Sequence, residues 1–229
     1  KNPPKKLYVL GNKEILNDLF VRYPMLSKCR ESIITAYLLL EKVYTAGGSL
    51  YVAGNGGSAS DCGHIAGELM KSFMMKRPLD DETASVYGAL FGEEGTKFCK
   101  GLEKGLPAIS LPSMTALSTA VCNDINGDYL FAQPLNAVSR QGDAFLGIST
   151  SGNSVNIVNA MMVAAVKKVF RIGLTGENKC RLDSLCDVVI HVPERETYKV
   201  QELHLPVYHA LCAMLESRFF GQKSHEEVR

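Results

Sequence analysis

Ser49-Leu50-Tyr51-Val52-Ala53, followed at once by Gly54-Asn55-Gly56-Gly57-Ser58, is the stretch on which the reading of the fold turns. Its first half is apolar without strict polar alternation, which predicts a strand covered on both faces rather than one with a wet side. The glycines then break the strand, and a helical pattern runs over 58–73. Further short β-rich runs at 107–111, 143–149, 169–175 and 187–192 lack polar alternation in the same way. Helical segments at 115–121, 154–168 and 197–220 follow three of them. This βα alternation predicts an α/β domain built on a parallel sheet.

Upstream, Asn12 is placed to cap a helix through Leu19 and Phe20, and 26–44 repeats apolar residues at three and four as a longer helix does. The segment 74–105 separates the first βα unit from the second strand by some thirty residues, with a helix expected around 84–102. It reads as a surface excursion that caps the active site, builds a subunit contact, or is a passive insertion. The chain as a whole, 1–229, is read as one domain.

With 46% hydrophobic and 21% charged residues, a chain of 229 can bury a core without disulfides or structural metal. Lysine and arginine number 25 against 24 acidic residues, so neither nucleic acid nor an anionic membrane is expected as partner, and any anion site must be local. The seven cysteines are scattered and never spaced C-x-x-C, which favours a reducing cytoplasm. No run reaches the ~20 apolar residues of a membrane helix, and Lys1-Asn2-Pro3-Pro4-Lys5-Lys6 is not followed by a signal-peptide core.

Two loops carry the chemistry. The first, with Asn55, Gly56, Gly57 and Ser58, joins a strand to a helix N-terminus, where free N–H groups and the helix dipole favour an anion. It contains neither a Walker lysine nor G-x-G-x-x-G. The second, Ser149-Thr150-Ser151-Gly152-Asn153-Ser154, offers four hydroxyls in six residues at another such junction, enough to surround phosphate oxygens without lysine. Either loop alone is equally well a turn and a cap; two at equivalent junctions favour phosphate binding.

His64 and Glu68, four apart on one helix, share a face and are able to ligate one cation or share a proton. Gln201 and His209 lie ~12 Å apart along the last helix but only ~80° apart around it. They either grip one metal between them or each contribute a ligand at an interface between copies. His204 points elsewhere and reads as a packing residue; His191 and His225 read as bystanders. Asn123 and Asp124 follow a helix, where Asp124 either bonds sugar hydroxyls or simply forms a turn.

The ordered set G-N-G-G-S, H-x-x-x-E, S-T-S-G-N-S, G-L-T-G and Q-E-x-H-L-x-x-x-H resembles the sugar isomerase (SIS) domain, within it the phosphoheptose isomerases, over roughly 10–220. The resemblance implies a flavodoxin-like three-layer αβα sandwich with five parallel strands. It also implies a homotetramer, or a dimer, with active sites between subunits. It implies zinc on His64, Glu68, Gln201 and His209. The implied contacts to a sugar phosphate are Asn55, Gly56, Gly57, Ser58, Asn123, Asp124, Ser149, Thr150, Ser151, Ser154 and Gln201. The implied reaction converts sedoheptulose 7-phosphate to D-glycero-D-manno-heptose 7-phosphate through an enediol, with Glu68 as base and His209 as acid. Two features depart from the pattern: 74–105 is longer than the usual connection, and Tyr198 stands where enterobacterial members carry an acidic residue. The competing readings are an isomerase of another sugar phosphate and a non-catalytic phosphosugar-binding or interaction module.

Overall fold

The computed structural model describes residues 11–221; the Lys1–Lys6 stretch and His225 lie outside them. Five strands form one sheet: β1 (Leu50–Gly54), β2 (Ala108–Ser110), β3 (Ala144–Ile148), β4 (Phe170–Thr175) and β5 (Val188–His191). Their order is β2-β1-β3-β4-β5 and every pairing is parallel, with Gly54 opposite Ile148 and Leu50 opposite Ala108. Four of the five strands fall within the runs read from the sequence, each trimmed by one residue at one or both ends, and β1 is shifted by one residue.

Strand alternation divides the core in two. Leu50, Val52, Ala144, Leu146, Ile148, Ile172 and Leu174 face one side, where they meet α1 (Asn12–Arg22), α2 (Arg30–Thr45), α3 (Gly57–Met70) and α8 (Thr197–Phe220). Tyr51, Ala53 and Phe145 face the other, against α6 (Ala132–Val138) and α7 (Val155–Val166). The result is three layers, with the strand order reversing between β1 and β3. At that switch point the turns after the two strands lie at the carboxyl edge of the sheet, the place where open parallel sheets bind ligands.

The helices differ from expectation in particular ways. Gly11, not Asn12, is the N-cap of α1. The segment read as one helix over 26–44 begins as a 3-10 turn, Pro24–Cys29, before α2. α3 stops at Met70, short of Phe73, because the buried Arg77 donates to the carbonyls of Leu69 and Glu68 and so satisfies the end of the helix. α5 (Thr115–Asp124) runs three residues further than expected. α6 was not anticipated.

The long excursion forms α4 (Asp81–Cys99), broken at Gly92 (φ 61°, ψ −139°). It is rooted beside the C-terminus of α3, where Leu106 N–H donates to the Leu69 carbonyl, far from the first glycine loop. Leu90, Phe91 and Phe98 project from it into solvent. α8 is the opposite case: Ala210 to Glu216 are buried without a break, so this half of the helix is enclosed all round. Its one charge there, Glu216, accepts from Arg77 Nε at 2.8 Å and from the Phe73 and Met74 amides. Both side chains of this pair are wholly buried. Among the described residues no helix is long and apolar enough to cross a membrane.

Candidate active site

β1 ends in the turn that carries Asn55, Gly56 and Gly57, which are exposed. Gly56 sits at φ 56°, a conformation that side chains other than glycine rarely adopt, and is the N-cap of α3. Ser58 is buried beneath the turn, 3% exposed, its amide bonded to the Asn55 carbonyl. β3 ends in the second loop, where the Ser149 and Ser154 hydroxyls are 2.9 Å apart and the Gly152 N–H donates to the Ser149 carbonyl. Gly152 lies at φ 64°, and a Cβ there would stand 2.2 Å from Cys180 Sγ, so only glycine fits. Thr150 and Ser151 lie between them, half-buried and exposed.

The two loops are joined. Asn55 and Asn156 exchange reciprocal side-chain amide bonds, at 3.0 and 2.9 Å, from the first loop to the first turn of α7. Gln201 reaches across from α8: its Nε2 lies 2.9 Å from where a Gly57 Cβ would be. Gln201 thus sits at the mouth of the first loop.

His64 and Glu68 on α3 meet His209 on α8. His64 Nε2 lies 3.2 Å from Glu68 Oε1 and 3.4 Å from His209 Nε2. His64 Nδ1 lies 3.0 Å from the Tyr208 hydroxyl, which also contacts Asp61 Oδ1 at 3.1 Å. A phenol has one proton, and the carboxylate can only accept it, so the hydroxyl accepts from His64 Nδ1–H in turn. In a neutral His64 ring, Nε2 is then a bare lone pair facing a carboxylate oxygen and a second imidazole. Burial pushes Tyr208 up and Asp61 up as well, and burial followed by the neighbouring His64 pushes His209 down.

His64 Nε2 thus has Glu68 on one side and His209 on the other, contacts that a ring proton or a cation accounts for. Zinc bonds of 2.0–2.1 Å to nitrogen in a tetrahedron place two imidazole nitrogens ~3.3 Å apart, close to what His64 and His209 already adopt. The N, N, O donor set and the orienting Tyr208 beneath it also fit such an ion. Tyr208 and Asp61 escaped the sequence reading. Asp61 is three residues before His64 and Tyr208 adjoins His209, but their meeting depends on how α3 packs on α8.

Asn123 and Asp124 end α5 in the open, with Asn123 Nδ2 donating to Asp124 Oδ1 at 2.8 Å. No hydrogen bond joins either to the two loops among the described residues. His204 is fully buried, as the packing reading expected. His191 is no bystander: it bonds Asp183 and the Gly176 carbonyl.

Over 182 residues the chain is 37% identical to the phosphoheptose isomerase of Aneurinibacillus thermoaerophilus, covering 80% of this chain and 79% of that one. The chain is a member of the phosphoheptose isomerase family. A phosphoheptose isomerase of Campylobacter jejuni is 36% identical over 84% of this chain and 85% of its own. Among solved structures, the phosphoheptose isomerase of Neisseria gonorrhoeae superposes with a TM-score of 0.65 at 26% identity, covering 88% of this chain and 98% of that one. That of Francisella tularensis gives 0.66 at 25% identity over 87% and 97%. No family profile matches the chain. Membership makes the protein an aldose–ketose isomerase with the sugar isomerase (SIS) fold.

Proposed function

We propose that the enzyme interconverts sedoheptulose 7-phosphate and D-glycero-D-manno-heptose 7-phosphate, and that His64, Glu68 and His209 are the centre of its active site. The observation that carries this reading is their convergence on one helix pair whose leading end, at Gly57, opens on a phosphate-shaped turn. His64 lies seven residues after Gly57, ~10 Å of helical rise, which suits an elongated phosphorylated carbohydrate.

In this reading the phosphate is held by Asn55, Gly56, Gly57, Ser58, Ser149, Thr150, Ser151 and Ser154, through backbone N–H groups and hydroxyls at two helix N-termini. Gln201 at the mouth and Asn123 and Asp124 on α5 meet the sugar hydroxyls. Glu68 removes the proton from C1 of the ketose and returns it to C2. His209 donates to the carbonyl oxygen and takes the proton of the neighbouring hydroxyl, so that the enediol forms and collapses without net loss of a proton. Burial keeps His209 a neutral imidazole near neutral pH, as an N–H donor to a developing enediolate should be. His64, Glu68 and His209 would hold zinc, which when bound supplies Lewis-acid polarisation of the carbonyl, with Gln201 joining the set from a facing copy of the chain. Tyr208 and Asp61 keep the His64 ring in the required tautomer.

The assembly is a homotetramer, or a dimer, with sites between subunits, a reading supported by the solvent-facing Leu90 and Phe91 of α4. All seven cysteines are free, which supports a cytoplasmic setting. Assay of Glu68→Gln and His209→Gln with sedoheptulose 7-phosphate tests the roles. Each is expected to lower kcat by roughly 10²–10⁴; near-wild-type turnover in both removes the assignment.

A further inference from the structure

We propose that Cys180, Asp183 and His191 form a second cation site, suited to a zinc-like divalent ion, beside the Ser149–Ser154 loop and separate from His64 and His209. Cys180 and Asp183 follow β4 and His191 ends β5, and a 3-10 turn, Arg181–Ser184, folds Asp183 back towards Cys180. Their ligand atoms, one sulfur, one oxygen and one nitrogen, all lie within 4.8 Å of one another.

The hydrogen bonds prepare each donor. The Cys180 amide donates to Asp183 Oδ2 at 2.9 Å, which orients the carboxylate and leaves Oδ1 for another partner. Asp183 Oδ1 lies 3.8 Å from Cys180 Sγ and 2.7 Å from His191 Nε2. His191 Nδ1 is 2.8 Å from the Gly176 carbonyl oxygen. A carbonyl only accepts, so Nδ1 carries the ring proton, and in a neutral ring Nε2 is a bare lone pair aimed at a carboxylate oxygen. At that distance the pair is held either by a proton on Nε2 or by a cation that takes its place.

An imidazole that donates from its far nitrogen to a backbone carbonyl is the ordinary state of a metal-bound histidine. Sulfur in the donor set favours zinc-like ions over magnesium or calcium, which take oxygen alone. Side-chain exposures of 31% for His191 and 35% for Asp183 leave the ion an entry path and a place for water as fourth ligand. On binding, the Cys180 thiol gives its proton to solvent and the thiolate takes the metal; no electron is transferred.

The location ties the ion to the second loop. Cys180 Sγ fills the space where a Gly152 Cβ would stand, and the Arg181 N–H donates to Asn153 Oδ1 at 3.0 Å. An ion that draws Sγ towards Asp183 therefore acts on the loop that closes the phosphate turn.

Cobalt(II) titration of the whole chain tests this independently of any turnover. A sulfur-to-cobalt charge-transfer band should grow to one thiolate per chain, persist in His209→Gln, and vanish in Cys180→Ser and Asp183→Asn with the fold intact by circular dichroism. Cadmium NMR of the unaltered protein needs no variant and should show one resonance in the thiolate-shifted range. A chain saturated with cobalt that develops no sulfur band, a band that survives Cys180→Ser, or cadmium resonances confined to nitrogen and oxygen ligation would each overturn the proposal.

Discussion

Replacing His204 by leucine should make the protein resist acid. His204 is 0% exposed in the middle of α8, and its two ring nitrogens meet no partner in hydrogen-bonding geometry. Burial pushes its pKa down from 6.5 to about 4, and the backbone of Thr175 only partly opposes that. Between those two values the unfolded chain binds a proton at this position that the folded chain refuses. The contribution is therefore present in full above about pH 6.5 and is lost as pH falls towards 4. At about 1.4 kcal/mol per pH unit, the interval amounts to about 3 kcal/mol. Leucine changes packing by an amount that does not depend on pH, so the signature is the pH-dependent difference alone. Urea unfolding of both proteins at about pH 7, 5.5 and 4 measures it. The variant should gain about 3 kcal/mol on the wild type across that range, with equal m-values. A constant difference at all three would show that His204 does not hold its neutral form by burial.

Other parts of the molecule give equally direct expectations. Arg77→Met strands the Glu216 carboxylate in the core and should cost about 3–5 kcal/mol in thermal unfolding, with Arg77→Met/Glu216→Leu recovering most of it; a single-variant loss under about 1 kcal/mol contradicts the burial of the pair. Tyr208→Phe frees the His64 tautomer and should weaken zinc binding about 10–100-fold by competition with a chelating dye, while leaving the unfolding midpoint little changed. Gly152→Ala meets both an unfavourable φ and Cys180 Sγ, and should raise KM for the sugar phosphate more than it lowers kcat; an unaltered KM would detach that loop from the phosphate.

The parts of the fold that could be read in advance are those whose cause is local. A strand buried on both faces writes itself as an apolar run, and β1 to β5 all did so. A tight turn from a strand into a helix writes itself in glycine and hydroxyls, as at Gly56 and Ser151. α6 is only seven residues long and leaves little periodicity to read; its Pro134 falls in the first turn, where the absent N–H costs nothing. The end of α3 was missed because its capping group, Arg77, is eight residues from Leu69 in sequence and is held by a glutamate 139 residues further on. The same applies to the site. His64 and Glu68 announce themselves by spacing, but Tyr208 and Asp61 acquire a role only through the contact of two helices. Nor could His191 be distinguished from a bystander before β5 brought it to Asp183.

The reciprocal amides of Asn55 and Asn156 make the turns after β1 and β3 one mechanical part. A displacement of either is handed to the other through a planar, two-bond clasp that resists twisting as well as separation. Cutting the clasp with Asn156→Leu would leave two turns that move separately.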